Sequence, residues 1–435
     1  MGCFALKRAG PGPDLQSPGR FRCRVFHMPC IAARCFSAAL GLLAFSGQAQ
    51  QAPALPSPDQ QRAFASCRVQ LRGLTADSGV AGDAFDRFMA GIVPDMSVLP
   101  LLDSQPEFST PIWDYLAPLV DDARIADGKA MLAQYSDTFA RVAQSRGVDA
   151  ATVAAVWGVE SDYGRVQGTR PLLVSLSTLS CFGRRQGFFR GELMATLALL
   201  QAGDLSPDGL TGSWAGAFGQ TQFMPSTYRR IAVDGDGDGR RDLVHSVPDA
   251  LASTANYLVR AGWQRGQPWG YEIKLPAGFD AALAGRTAKR PLCQWLARGI
   301  TRADGSAIAA SEVPAAVLLP AGVAGPAFLV FSNFDAIYRY NAAESYALAI
   351  ALLSDRLRGG GPLLARWPTD DPPLDRAGRK RLQTLLLARG HAIGPADGLL
   401  GTRTRRAIVQ EQQRLGLVPA DGRAGQKILQ ALAAP

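Results

Sequence analysis

The stretch Ala151-Thr152-Val153-Ala154-Ala155-Val156-Trp157-Gly158-Val159-Glu160-Ser161-Asp162-Tyr163-Gly164-Arg165 decides how this chain is read. Its first nine residues are almost all apolar or small, and Val153, Val156 and Trp157 recur at helical spacing, so the stretch predicts a buried helix. A single carboxylate, Glu160, ends the run, and Gly164 is the expected stop. Desolvation at the end of an apolar helix disfavours a charged carboxylate, and the negative potential of a helix C-terminus acts the same way. Both raise the pKa toward the range a general acid needs near neutral pH. Taken alone, the segment suits a capping or salt-bridged carboxylate equally well.

Working outward, the 435 residues suggest two or three domains, and 47% hydrophobic against 19% charged residues is enough to bury a sizeable core. The net charge of +9 is uneven. Residues 1–49 carry net +5 and residues 373–435 carry net +7, which leaves −3 on the stretch between. A slightly acidic body with a basic tail fits an anionic polymer partner. At the N-terminus, Arg20, Arg22, Arg24 and Arg34 precede the apolar run 35–45 and the small-x-small pattern Gly47-Gln48-Ala49. That order predicts an export signal over 1–49, with Met28 as an alternative start and a periplasmic product, soluble or wall-associated. The run is too short to span a membrane. Cys67, Cys181 and Cys293 would remain after its removal, enough for one disulfide and one thiol or for none, with the pairing open.

Residues 50–60 are rich in Gln, Pro and Ser and read as a flexible lead-in. Helical patterns follow at 64–74, 85–92, 130–146, 247–261 and 338–357, with a small sheet region expected over 264–335. Residues 358–373, with Gly359-Gly360-Gly361-Pro362 and Asp370-Asp371-Pro372-Pro373, read as a linker. Three further stretches carry chemistry. The loop Gly212-Ser213-Trp214-Ala215-Gly216-Ala217-Phe218-Gly219-Gln220-Thr221-Gln222-Phe223-Met224-Pro225 is small enough for a ligand to approach its backbone, and the Gln222 amide suits hydroxyl and acetamido groups. Asp234-Gly235-Asp236-Gly237-Asp238-Gly239 has the alternating carboxylates and the sixth-position Gly of a calcium loop, but His245 stands at the twelfth position. In the tail, Asp397-Gly398 and Asp421-Gly422 turns separate short helices.

Together, Val159-Glu160-Ser161-Asp162-Tyr163-Gly164 and the Gly212–Tyr228 loop resemble the membrane-bound lytic transglycosylase B family of cell-wall enzymes. Phe188-Phe189-Arg190-Gly191-Glu192-Leu193, Ala255-Asn256-Tyr257 and Arg339-Tyr340-Asn341 fit that family in the same order. The resemblance implies a mainly α chain: a goose-lysozyme-like transglycosylase domain over 61–357 with a small α/β insertion. The tail resembles a three-helix peptidoglycan-binding domain over 374–435, with Glu411 where relatives often carry an aromatic residue. The implied activity is cleavage of the β-1,4 bond between N-acetylmuramic acid and N-acetylglucosamine with a 1,6-anhydro product. Glu160 is then the single acid/base, Ser213 and Gln222 lie in the cleft, and Tyr115, Tyr257, Tyr340, Asn341 and Tyr346 match sugar-site positions. Gln220-Thr221 stands where many relatives have other residues. The implied calcium ligands are Asp234, Asp236, Asp238, the Arg240 carbonyl and Asp249, with calcium in a structural role and no cofactor for the chemistry.

A lone glutamate suits substrate-assisted cleavage, because glycosidases that use water employ two carboxylates. Asp162, two residues on, would face away from Glu160 on a helix. The expected partner is the peptidoglycan glycan strand. Nucleic acid and a membrane span are not expected, a monomer is, and wall synthesis or division proteins are the class of protein partner to consider.

Overall fold

The decisive stretch forms one helix, Ala150–Ser161, in the computed structural model, which describes residues 56–103, 110–418, 420 and 422–434. The expected export signal lies outside the described residues. Ala151 to Ser161 are all buried, which is why the helix is apolar all round rather than striped. Its neighbours are the helices Glu344–Leu357, Val247–Arg260, Asp122–Gln134 and Ser136–Arg146. Their apolar side chains form the larger core, which includes Val153, Val156, Ile350 and Leu353.

A second core gathers the helices Pro58–Gly73, Leu172–Cys181 and Gln186–Ala202. Cys67 and Cys181 are bonded across it, which settles the open pairing, and the Cys293 thiol lies 3.1 Å from the Glu312 carboxylate. The first helix begins three residues earlier than the expected lead-in allows. Ser57 and Gln60 form a reciprocal capping box there, so the end of the 50–60 stretch is ordered helix. Two expected long helices are each split. Tyr135 separates Asp122–Gln134 from Ser136–Arg146, and Ala342, at φ 51°, separates Ser332–Asn341 from Glu344–Leu357.

The expected sheet region is a five-stranded antiparallel sheet. Its order is Arg290–Pro291, Pro314–Leu318, Ala327–Val330, Gly270–Lys274 and Thr301–Arg302, and the helix Leu292–Ala297 lies beside it. The tail is three helices, Arg376–Ala388, Thr402–Arg414 and Gln426–Ala433, around a small core of Leu382, Leu386, Ile408 and Ile428. Glu411 is buried there against His391, at 2.8 Å, and Arg414. Glu411 is thus the centre of an ion-pair cluster in the tail.

The 358–373 stretch is not a free tether. The carboxylate of Glu272 accepts the N–H groups of Leu364 at 2.9 Å and Ala365 at 2.7 Å, and Trp367 meets Trp113. Beyond it, Arg379 of the tail pairs with Asp121 of the body at 3.2 Å, and Arg423 grips Asp114 through two bonds of 2.7 and 3.0 Å. Within the stretch itself the Thr369 N–H donates to the Trp367 carbonyl at 2.8 Å, and the Pro372 carbonyl accepts the Gln426 N–H of the tail at 3.0 Å.

Candidate active site

Glu160 occupies the last turn of its helix, and the chain turns back immediately after it. Asp162, Tyr163 and Gly164 take φ values of 51°, 58° and 83°, three left-handed residues in a row, two of which are not glycine. Such residues need compensating contacts. Tyr163 folds back under the helix, where a Cβ at Gly158 would lie 2.6 Å from its ring, and its hydroxyl donates to the Arg124 carbonyl at 2.9 Å. Asp162 pairs with Arg165 at 3.0 Å and with Arg124 at 3.3 Å. The stop therefore comes two residues before the expected Gly164, and Asp162 is occupied with arginines.

The Glu160 side chain is fully buried. Its Oε1 accepts a hydrogen bond from the Tyr346 hydroxyl, and its Oε2 has no partner among the described residues. Burial pushes its pKa well above the ordinary carboxylate range, and the opposing pull of the Tyr346 hydrogen bond is outweighed. Among the described residues of the body the other buried glutamate is Glu192, which accepts the Ser226 N–H at 2.9 Å and hydroxyl at 2.7 Å and so is committed to seating the helix Pro225–Ile231.

Three of the expected sugar-site residues, Tyr346, Tyr340 and Tyr257, gather around Glu160. The ring of Tyr346 stacks on Tyr340 at 6.2 Å, and Tyr340 lies 4.5 Å from Tyr257. Phe223 supports both Tyr340 and Tyr257. The hydroxyls are aimed by backbone carbonyls, Tyr340 at Thr221 (2.9 Å) and Tyr257 at Arg339 (2.6 Å). Asn341 is 2% exposed, and neither polar atom of its side chain has a partner among the described residues. The Thr221 hydroxyl is likewise buried and unmatched. Leaving such groups unpaired costs about 1–3 kcal/mol each, so each calls for a partner that the described residues do not supply. Tyr115 is a core residue, 2% exposed, within electrostatic reach of the Tyr346 hydroxyl, so it supports the cluster from beneath.

The glycine-rich loop presents a different face from the expected one. Ser213 closes a tight turn: its N–H donates to Ala217 O at 2.7 Å, and its hydroxyl accepts the Ala217 N–H at 3.0 Å. The loop crosses its neighbour so closely that a Cβ at Gly168 would fall 2.1 Å from the Gly212 carbonyl carbon. Gln222 is 6% exposed at φ 49°, and its amide nitrogen donates to Gln167 O at 3.0 Å and to Gly219 O at 2.8 Å. The donors expected for a sugar are thus used inside the loop. Sequence reasoning also passed over Gln220 as a joint. Its side chain accepts from the Trp157 indole at 3.0 Å and donates to Val244 O at 3.3 Å, and its carbonyl accepts from the Ser161 hydroxyl at 2.7 Å. A polar residue amid small and apolar ones was the only signal.

In the acidic loop, Asp234, Asp236 and Asp249 bring carboxylate oxygens within 4.8 Å of one another. Asp249 is 1% exposed, and burial pushes its carboxyl up despite N–H bonds from Gly235 and Asp242. Three converging carboxylates, one of them buried, are a donor set that fits a hard cation. Asp238 does not join them. Its Oδ1 accepts the Arg240 N–H at 2.7 Å, as the Asp234 and Asp236 carboxylates accept other donors of the loop.

Among the described residues, no helix is long and apolar enough to cross a membrane. The transglycosylase SLT domain family matches residues 63–355, and the peptidoglycan binding domain matches residues 375–432. Membrane-bound lytic murein transglycosylase B of Escherichia coli (strain K12) is 32% identical over 282 residues, which cover 62% of this chain and 72% of that protein. The crystal structure of SltB3 from Pseudomonas aeruginosa with NAG-anhNAM-pentapeptide has a TM-score of 0.68 at 46% identity, covering 85% of this chain and 99% of that one. The Escherichia coli lytic transglycosylase Slt35 in complex with calcium has a TM-score of 0.59 at 28% identity, covering 70% of this chain and 96% of that one. A buried glutamate ringed by tyrosines, carried on a fold shared along most of the chain with these enzymes, leads to one assignment: the chain belongs to the SLT-domain family of lytic transglycosylases.

Proposed function

We propose that the protein cleaves the β-1,4 bond between N-acetylmuramic acid and N-acetylglucosamine in peptidoglycan and leaves a 1,6-anhydro-N-acetylmuramic acid end. The observation that carries this reading is Glu160, a fully buried carboxyl with a raised pKa, one oxygen held by Tyr346 and the other unpartnered. Protonated, it donates to the departing O4. The substrate's 2-acetamido group stabilises the charge developing at C1. The resulting Glu160 carboxylate then takes the proton of the C6 hydroxyl as that oxygen bonds to C1, so the proton is returned and no water is consumed. Tyr346 orients the carboxyl so that Oε2 meets the glycan. Tyr257 and Tyr340 offer ring faces to sugars, Asn341 its unmatched amide, and Ser213 and Gln222 shape the loop opposite.

Residues 1–49 serve export to the periplasm, the catalytic body runs to about residue 357, and residues 374–435 hold the wall polymer. Calcium, when bound at Asp234, Asp236 and Asp249 with the Arg240 carbonyl nearby, neutralises the clustered carboxylates and stiffens the loop. The match to the Slt35–calcium complex supports that reading. The test is mass spectrometry of purified sacculi digested by wild-type protein and by Glu160→Gln. Anhydro ends from the first and none from the second are expected. Reducing muramic acid ends would instead identify a hydrolase.

A further inference from the structure

Residues 360–373 roof a cavity of about 1370 Å³ that the proposed chemistry does not use. Ligand pockets commonly measure roughly 300–1,000 Å³, so this one accommodates a ligand of more than one ring. Its lining reaches well away from Glu160. Asp149, which lines it, is the N-cap of the Glu160 helix. Eleven helical steps separate Asp149 from Glu160, about 16 Å at 1.5 Å per residue.

Four of the chain's seven tryptophans line this cavity: Trp113, Trp263, Trp269 and Trp367. Trp113 comes from the body and Trp367 from the roof, and their rings lie 6.4 Å apart at 46°. Three of the four, all but Trp269, are only partly buried, so ring surface remains available. Two lining residues also carry buried polar atoms without partners among the described residues, the Trp113 indole N–H and the Gln267 amide oxygen. One is a donor and the other an acceptor.

Most charged residues of the lining are already paired: Arg302 with Asp304 at 3.2 Å and Arg356 with Asp122 at 3.3 Å, which leaves Arg366 as the one lining charge without a partner among the described residues. Asp149 and Asp355 both pair with Arg358, at 2.7 and 2.8 Å, and Glu272 is taken by the backbone of the roof. An aliphatic ligand would leave the indole N–H and the amide oxygen unmet. A neutral ring with an apolar face and hydroxyls at its edge meets both demands, because C–H faces stack on indole and hydroxyls both donate and accept.

We propose that this cavity is a second binding site for a segment of N-acetylhexosamine glycan, distinct from the catalytic cleft and formed when residues 360–373 pack on the body. The choice of glycan among neutral polyhydroxylated ligands rests on the proposed function; the existence of the site does not. The test is calorimetric titration of the full-length Glu160→Gln protein with a β-1,4-linked N-acetylglucosamine tetramer. Two binding events are expected. Trp367→Ala and Gln267→Ala, each added to that background, should weaken one event about tenfold, the effect of losing one stacking or hydrogen-bonding contact, and spare the other. In the Glu160-intact protein, the same two changes should leave turnover of short soluble glycan unchanged. If Trp367→Ala loosens the roof, Gln267→Ala still decides, since the Gln267 backbone bonds only to Gln264 and Asn333 of the body. A single event in the parent, or two events that neither change alters, overturns the proposal. A protein that shows two events but cleaves no glycan overturns the proposed activity and leaves this site standing.

Discussion

Replacing Asp121 by Asn should unseat the tail from the body. Asp121 makes two separable contacts: Oδ1 accepts the Arg124 N–H at 2.9 Å and caps the helix Asp122–Gln134, while Oδ2 accepts from Arg379 at 3.2 Å. Asn keeps the shape and the capping acceptor but removes the countercharge. Both side chains of the pair are only 5% exposed, so the Arg379 guanidinium would be left buried without its anion. Burial already pulls the Arg379 pKa down, and Asp121, ahead of Asp375, is the main group that opposes this. Breaking one side of a buried pair costs about 3–5 kcal/mol. At about 1.4 kcal/mol per decade, this is roughly a 100- to 5,000-fold shift toward the undocked state. Hydrogen exchange reads it directly. The amides of Leu364 and Ala365, which bond to Glu272 only while the 358–373 stretch lies on the body, should exchange faster by up to that factor. The Gly398 amide bonds to Gln383 inside the tail at 2.6 Å and should keep its protection. Unchanged exchange at residues 364 and 365 in the Asp121→Asn protein would refute the docked tail.

Glu160→Gln should fold normally and lose activity on the order of 100- to 10,000-fold, or more because one group serves as both acid and base. Its stability carries a second signature. The folded pKa of Glu160 is raised, so its contribution is complete below the unfolded pKa and is lost as pH rises through the folded one. The melting temperature of Glu160→Gln should therefore gain on the wild type as pH rises, and a pH-independent difference would contradict the burial of Glu160. Tyr346→Phe removes a hydrogen bond that lowers the Glu160 pKa, so the alkaline limb of the pH–rate profile should move upward. Calcium at about 100 times its Kd should add roughly 2.7 kcal/mol to stability, and Asp249→Asn should abolish that gain; equal melting with calcium and with chelator would exclude the site. The Cys67–Cys181 bond spans 114 residues. By the loop-entropy relation, replacing both cysteines with Ser should cost up to about 5 kcal/mol, read from a denaturant midpoint.

What could be read from sequence was local. The apolar run before Glu160 announced a buried helix because every face of that helix is covered, and the Asp-Gly turns of the tail announced its three helices. Tyr257, Tyr340 and Tyr346 entered through resemblance and proved to share one cluster with Glu160. The remainder depended on how distant segments meet. Periodicity carries no information about a bond between residues 186 positions apart, yet that is the separation of Tyr346 and Glu160. Cysteine spacing alone could not pair Cys67 with Cys181 rather than with Cys293, because helix packing brings the partners together. Gln222 kept its sugar-binding chemistry on paper until the fold placed carbonyls of Gln167 and Gly219 at its amide nitrogen. Asp234, Asp236 and Asp238 were legible as a set from their spacing in the loop, whereas only the fold brings Asp249, eleven residues after Asp238, against Asp234 and Asp236. The Gly/Pro stretch read as a tether because it lacks period. Its order comes from outside, since Glu272, Asp114 and Asp121 hold it and the tail to the body. Local propensity follows from each residue and its neighbours, whereas pairing, burial and the satisfaction of polar groups are settled only when separate elements come into contact.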